Sequence, residues 1–374
     1  MPVDVFLSAG EASGDLQASL LAGEMRKIRP DLSIAAIGGP LLRGQGADIW
    51  IDSVASGWAS IGHLRAYLMI PALAWTLASV AARLIALRPR FVVCVDFGVF
   101  NLRLLQLLRT FGYRGKAMYY FPPGAWLDDE RRSRIVARVS SAVTPFAHQA
   151  DFYERLGLPV VWYGHPLAGT IAPRAERPVA DPPRIAVLAG SRAAEVQEHA
   201  PVLVRAATLA RDEMGASFTV IAASEELERE LRALWPAACG GEAAVVRAPV
   251  ALAVTDADVA WCASGTATLE VLLRGVPQII FYRVSDALAR FARRHHPEME
   301  HRPFGLPNLV AGRRFVPELL QEAFEPQRLV ALTRDLLAGA PRAAQLAGYD
   351  DVRARLGPPD ALARIGAYAA GLLG

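Results

Sequence analysis

Short apolar runs recur along the chain, and each closes on a small-residue, glycine or proline turn. The first is Val3 to Ser8. It runs into Ala9-Gly10-Glu11-Ala12-Ser13-Gly14-Asp15 and then into an Ala/Leu-rich segment reaching about Lys27. Ser33 to Ile37 ends in Gly38-Gly39-Pro40, Phe91 to Val95 ends at Asp96, and Lys116 to Phe121 ends in Pro122-Pro123-Gly124. A continuous apolar run bounded by turn residues predicts a strand buried on both faces. Strands that alternate with helical segments predict an α/β fold with parallel sheets, whose ligands sit beyond the carboxyl ends of the strands.

The same grammar restarts after Pro173, Pro178, Pro182 and Pro183, a weakly patterned stretch that reads as an interdomain linker. Arg184 to Ala189 closes on Gly190-Ser191-Arg192, and further strands are predicted at Ser217 to Ala222, Ala243 to Arg247, Val259 to Cys262 and Gln278 to Tyr282. The expected organisation is two Rossmann-like domains, residues 1–170 and 180–344, with parallel sheets facing a central cleft. The Ala/Leu/Arg-rich helical tail from about 345 to 374 is expected to pack back on the first domain.

One segment differs from the rest. Ala66 to Ala82 carries no charge, is flanked by Arg65 and Arg83, and contains Pro71. It is shorter than the roughly 20 apolar residues a spanning helix needs. It reads either as a core helix or as an interfacial one, with Tyr67 and Trp75 suited to the headgroup depth.

The 374 residues are 53% hydrophobic and 21% charged, with a formal net charge of +3, enough apolar material for two cores. Arg greatly outnumbers Lys, but no dense basic run with interleaved aromatics points to nucleic acid. Cys94, Cys239 and Cys262 form no CxxC pair, so neither a disulfide framework nor a zinc site is implied and a reducing cytoplasm is expected. The N-terminus reads as a first strand and not as a signal peptide.

The chemistry begins at Ala263-Ser264-Gly265-Thr266-Ala267-Thr268-Leu269-Glu270, where a predicted strand hands over to a predicted helix. Free N–H groups and the helix dipole favour an anion at such a junction. Glu270, a turn further on, suits two neighbouring ribose hydroxyls. Diphosphate plus ribose means a nucleotide. The same residues also make an ordinary capped helix.

Further motifs occur together and in order. They are Ser8 through Asp15, Ile37-Gly38-Gly39-Pro40, Phe100-Asn101-Leu102 after Asp96, Gly164-His165-Pro166-Leu167, and Gly190-Ser191-Arg192 with Glu195. Ala263 through Glu270, Gly275-Val276-Pro277, Tyr282-Arg283-Val284, Leu306 through Arg313 and Val316 through Gln321 follow. In this set, which covers nearly the whole chain, the protein resembles the lipid-A-disaccharide synthases, inverting glycosyltransferases of the GT-B fold. The resemblance implies transfer of 2,3-diacylglucosamine from its UDP derivative to 2,3-diacylglucosamine 1-phosphate. The product is a β-1,6 disaccharide, with release of UDP and no cofactor or metal. It implies a peripheral enzyme on the cytoplasmic face of the inner membrane, with a lipid-linked acceptor. A homo-oligomer is compatible with it.

Residue by residue, Gly190, Ser191 and Arg192 would face the diphosphate, with Arg192 stabilising the leaving group; a surface pair with Glu195 is the plainer alternative. Ser264, Gly265, Thr266 and Thr268 would add neutral donors, Glu270 would hold the ribose, and Tyr282 and Arg283 would wall the pocket. Asn308 would touch a base or sugar edge, or else form an Asx-turn. In the first half, Glu11, a further catalytic candidate, would meet the acceptor with Ser13, Gly14 and Asp15 unless they only cap a helix. Asp96 is the leading general base, its pKa raised by apolar walls, or else a turn cap. His165 would position a loop or touch the nucleotide, and His295-His296 before Pro297 is not a metal pair.

Departures from the family pattern cluster in the first half. The second acid of the family's Asp-x-Pro-Asp-Phe-Asn run is Val99 here, in Asp96-Phe97-Gly98-Val99-Phe100-Asn101. An acid is also missing after Gly62, where His63 stands as a substitute base, and Asp128 replaces a tryptophan in Pro122 through Asp128. These departures leave three alternatives open: a different lipid or sugar acceptor, a non-catalytic nucleotide-sugar binder, or an enzyme like the UDP-N-acetylglucosamine 2-epimerases.

Overall fold

The computed structural model describes residues 3–54, 63–123, 129–295 and 302–373, without the side chains of 63–71, 292 and 295. Gly62, Gly124 through Asp128, and His296-Pro297 therefore lie outside the described residues, as do the side chains of His63, Tyr67 and His295. The chain divides into two units, Met1–Thr170 with Leu356–Gly374, and Ile171–Arg355.

The first unit is built on a six-stranded sheet. Its strands are β1 (Val5–Ala9), β2 (Ile34–Gly38), β3 (Asp48–Asp52), β4 (Phe91–Val95), β5 (Lys116–Tyr120) and β6 (Ser141–Val143). They lie in the order β3-β2-β1-β4-β5-β6, all pairs parallel. Alternation along β1 decides which face each side chain serves. Val5, Leu7 and Ala9 pack with Leu21, Ala22 and Met25 of helix Ala12–Ile28 and with Ile365 and Ala369 of helix Ala361–Gly371. Phe6 packs on the other face with Leu84, Leu104 and Leu108. Each such fully buried leucine or phenylalanine stabilises the unit by about 1.5–3 kcal/mol.

The second unit repeats the plan with β7 (Arg184–Leu188), β8 (Ser217–Ile221), β9 (Val245–Val246), β10 (Val259–Ala263), β11 (Gln278–Tyr282) and β12 (Glu318–Leu320). The order is β12-β11-β10-β7-β8-β9, again all parallel. In both sheets the strand order reverses between two central neighbours, β1 and β4 in the first, β7 and β10 in the second. The turns beyond those strands are the places where an open α/β sheet takes ligands.

Three strands escape the sequence pattern. β3 is an edge strand on which Asp48 and Asp52 alternate with Ile49 and Ile51, and β6 and β12 are three residues each. The proline-rich stretch read as a linker is fastened to the second unit. Arg177 pairs with buried Asp258 at 2.9 Å, Asp258 also accepts from Arg184 N–H at 2.8 Å, and Arg274 donates to the Ala172 carbonyl at 2.9 Å. The helical tail is split as well. Helix Gly339–Arg355 belongs to the second unit and helix Ala361–Gly371 packs on Ala12–Ile28 in the first.

The uncharged segment forms part of helix His63–Leu87. Val80, Ala81 and Leu84 are buried against the sheet, with Leu73 and Leu77 partly buried beside them. Ala72, Ala74, Trp75, Ala78, Ser79 and Ala82 are exposed, Trp75 to 76%. Among the described residues no helix is long and apolar enough to cross a membrane.

Candidate functional site

In the second unit the turn after β7 is shaped by Glu195. Gly190 has φ 130°, and a Cβ there would lie 2.9 Å from the Glu195 carboxylate, so the close approach needs glycine. Buried Glu195 accepts from Ser191 N–H at 3.1 Å, from the Arg192 guanidinium at 2.7 Å and from the Tyr282 hydroxyl at 3.5 Å. The pair first weighed as an alternative to a ligand role for Arg192 is therefore present. It fixes a partly exposed guanidinium at the carboxyl end of β7, where a fork of N–H donors suits a diphosphate.

The turn after β10 carries exposed Gly265 at φ 153°, with open space where a side chain would stand. Helix Ala267–Arg274 starts there, and the first N–H groups of any helix lack intrahelical partners. Two expected hydroxyl donors are used within the turn. The buried Thr268 hydroxyl donates to the Gly265 carbonyl at 2.7 Å, and Ser264 donates to the Phe304 carbonyl at 3.2 Å. They shape the turn. Glu270 lies one turn along the helix. Burial pushes its carboxyl up to about 7, and the Ala251 backbone amide nearby offsets part of that rise.

Asn308 takes the turn-building role. It is fully buried, donates to the Val316 carbonyl at 2.9 Å, and accepts from Phe315 and Val316 N–H at 3.0 Å each, so both ends of its amide bond to backbone.

In the first unit, the turns after β1 and β4 interlock. A Cβ on Gly10 would fall 2.2 Å from the Phe97 ring. Asp96 and Phe97 are both left-handed, at φ 48° and 50°, a conformation that costs roughly 1–2 kcal/mol per non-glycine residue. Asn101 holds them there: its amide donates to the carbonyls of Ser8, Val95 and Asp96, and its oxygen accepts from the Ser8 hydroxyl at 2.6 Å. The Tyr119 hydroxyl also donates to the Asp96 carbonyl, at 2.9 Å. The strained turn presents Asp96 to solvent, beside Val99, which is 74% exposed.

Glu11 and Ser13 lie half-buried at the start of helix Ala12–Ile28, and Gly14 is buried against Ala9. Asp15 is 1% exposed and its carboxylate accepts from Gly39, Leu41 and Leu42 N–H at 2.7, 2.9 and 3.2 Å, so it fastens the β2 turn. His165 positions a loop: Nδ1 accepts from Leu167 N–H at 3.2 Å, the ring packs on Phe146, and burial pushes its imidazole down to about 3. A ring that stays neutral at pH 7 in this way serves as a rigid acceptor. Among the described residues no group of three or more His, Cys, Asp or Glu is arranged to hold a metal ion.

Sequence reasoning gave no role to Asn101, Gln321 or His199. The first two lie inside quoted motifs. His199 follows Glu195 by one helical turn, and that spacing was the available signal.

The lipid-A-disaccharide synthetase family matches residues 5–355. The lipid-A-disaccharide synthase of Thiobacillus denitrificans is 36% identical, over 96% of this chain and 97% of that protein. Spinosyn rhamnosyltransferase SpnG shares the fold with TM-score 0.57 at 16% identity, over 97% of this chain and 99% of that one. UDP-GlcNAc 2-epimerase from Neisseria meningitidis, bound to UDP-GlcNAc, shares it with TM-score 0.55 at 11% identity, over 98% and 97%. The GT-B fold is thus common to transferases and epimerases, and the family match is what separates them.

Proposed function

The chain belongs to the lipid-A-disaccharide synthase family and is a hexosyltransferase of that type; from this premise we propose how its units divide the reaction. The reaction joins UDP-activated 2,3-diacylglucosamine to 2,3-diacylglucosamine 1-phosphate and releases UDP. The second unit holds the donor. Arg192, fixed by Glu195, and the Gly265–Thr266 backbone at a helix N-terminus carry the charge that grows on the leaving diphosphate. Glu270 accepts from the ribose hydroxyls. Tyr282 and Arg283 flank the nucleotide.

The first unit takes the acceptor, with Glu11, Ser13 and Gly14 at the β1 turn and Asp96 at the β4 turn. Asp96 accepts the proton of the attacking 6-hydroxyl. With Val99 in place of a second acid, it is the carboxylate that the strained turn presents. The carrying observation is that the turns beyond both reversal points bear these groups. Arg192→Ala should lower kcat at least about a hundredfold, and Asp96→Asn at least about tenfold, with folding intact. Turnover within twofold of wild type in either variant contradicts the role given to that residue.

We also infer contact with the cytoplasmic face of the inner membrane. The uncharged, exposed face from Ala72 to Ala82 with Trp75 supports it. Sedimentation with anionic liposomes tests it: Trp75→Asp should leave most protein in the supernatant where wild type pellets, and equal pelleting defeats the assignment.

A further inference from the structure

His199 is fully buried on helix Ala193–Met214, in the second unit. Its Nδ1 lies 2.7 Å from the Ala189 carbonyl, directly after β7. Its Nε2 lies 3.0 Å from Arg283 N, directly after β11. A carbonyl only accepts, so Nδ1 carries the proton toward Ala189; in the neutral ring Nε2 then accepts from Arg283 N–H, and the Arg283 carbonyl also lies 3.1 Å from Nε2. Burial holds the imidazole below its ordinary pKa and so in this neutral form.

β7 and β11 are not neighbours, since β10 lies between them. Adjacent strands are about 4.8 Å apart, so two steps across a sheet span about 9.6 Å. One imidazole with a hydrogen bond at each nitrogen bridges most of that gap. The ring is held by edge contacts to Phe281 and Phe324, with centroids 5.1 and 5.9 Å away. On the far side of the same segment, Gln321 accepts from Val284 N–H at 2.7 Å and donates to the Val284 carbonyl at 3.1 Å. Gln321 does this from a left-handed backbone, at φ 52°. The Arg283–Val284 segment is therefore gripped from two elements. Glu195, one helical turn before His199, grips Ser191, Arg192 and Tyr282.

We propose that His199 is a positioning residue for the donor: it ties the turn that carries Arg192 to the strand end that carries Tyr282 and Arg283, so that both reach the nucleotide diphosphate in register. This rests on the donor site proposed above. No contact of His199 with substrate is involved; it acts through the backbone on either side of β10.

The test uses full-length protein, UDP titration calorimetry, donor and acceptor KM, and hydrogen exchange of the segments around 189–192 and 282–285. His199→Leu keeps the apolar volume and loses both bonds. It should weaken UDP binding and raise donor KM at least tenfold, leave acceptor KM within twofold, and speed exchange in both segments. His199→Gln offers one donor and one acceptor at similar separation and should restore UDP affinity to within threefold of wild type. A purely structural residue would move donor and acceptor KM together and track the melting temperature instead. If His199→Leu does not fold, His199→Asn replaces it. Its shorter amide reaches Ala189 alone, so exchange should quicken at 282–285 and not at 189–192. Wild-type UDP affinity in His199→Leu, glutamine behaving like leucine, or unchanged exchange in His199→Asn overturns the proposal. A different result, unchanged UDP affinity in Arg192→Ala, overturns the donor-site reading, and the exchange data still judge the tie.

Discussion

Asp15 and Glu270 occupy the same place in their units. Each follows a turn glycine by five residues, Gly10 and Gly265, and each is the fourth residue of the helix that leaves the turn. Each strand before them lies at the reversal of its sheet. In both, burial pushes the carboxyl above its ordinary pKa. Their partners then separate them. Three backbone N–H groups from the β2 turn grip Asp15 and offset part of the burial cost, whereas one, from Ala251, reaches Glu270. A carboxylate surrounded by backbone donors is a structural rivet. One left half-buried with capacity for further donors is the one we propose as a ligand acceptor. Equal position in a repeated motif does not mean equal work.

Removing the rivet should have the largest effect. Asp15→Ala leaves Gly39, Leu41 and Leu42 N–H without their acceptor in a buried turn, which should cost about 3 kcal/mol. In a unit of this size that lowers the melting midpoint by roughly 6–12 °C. UDP affinity should stay within twofold of wild type, because the donor turns lie in the other unit. Calorimetric melting and UDP titration on the same preparation check both statements. A variant that melts normally and binds acceptor poorly would return Asp15 to the acceptor site and erase the contrast.

The contrast also marks what could be read from the residues. The nine predicted strands, the α/β class and the turns at the strand ends all follow from apolar runs with abrupt ends, because a strand covered on both faces must be continuously apolar. β3 was hidden because an edge strand alternates polar and apolar residues, and β6 and β12 because three residues carry no period. Glu195 and Arg192 were legible as a pair at helical spacing. The backbone partners of Asp15 and Asn308 were illegible for one reason: an isolated polar residue in a glycine-rich motif looks the same whether its partners are ligand or backbone. The partners of Asp15 lie 24 to 27 residues away and those of Asn308 lie in the next loop, and only the folded chain brings them together. His199 showed only its spacing from Glu195, since both its partners are main-chain atoms without a residue signature.

Glu270 gives the smaller and sharper measurement, because its protonation changes near pH 7. Its ordinary value is 4.5 and its folded value about 7. Between these the folded protein holds a proton that the unfolded chain releases. The stability from the neutral carboxyl is therefore fully present below pH 4.5 and is lost as pH rises through 7. Glu270→Gln cannot ionise, so the wild-type melting temperature should fall relative to this variant between pH 5 and pH 8. UDP affinity should move the other way. Only the carboxylate accepts from both ribose hydroxyls, so wild type and Glu270→Gln should bind UDP alike at pH 5.5. They should separate by about tenfold, or roughly 1.4 kcal/mol, at pH 8. Ionisation of the UDP phosphate affects both proteins equally and cancels in the ratio. A ratio that stays flat across this range would mean that Glu270, like Asp15, serves the fold alone, and the two halves would then differ only in which backbone their carboxylates hold.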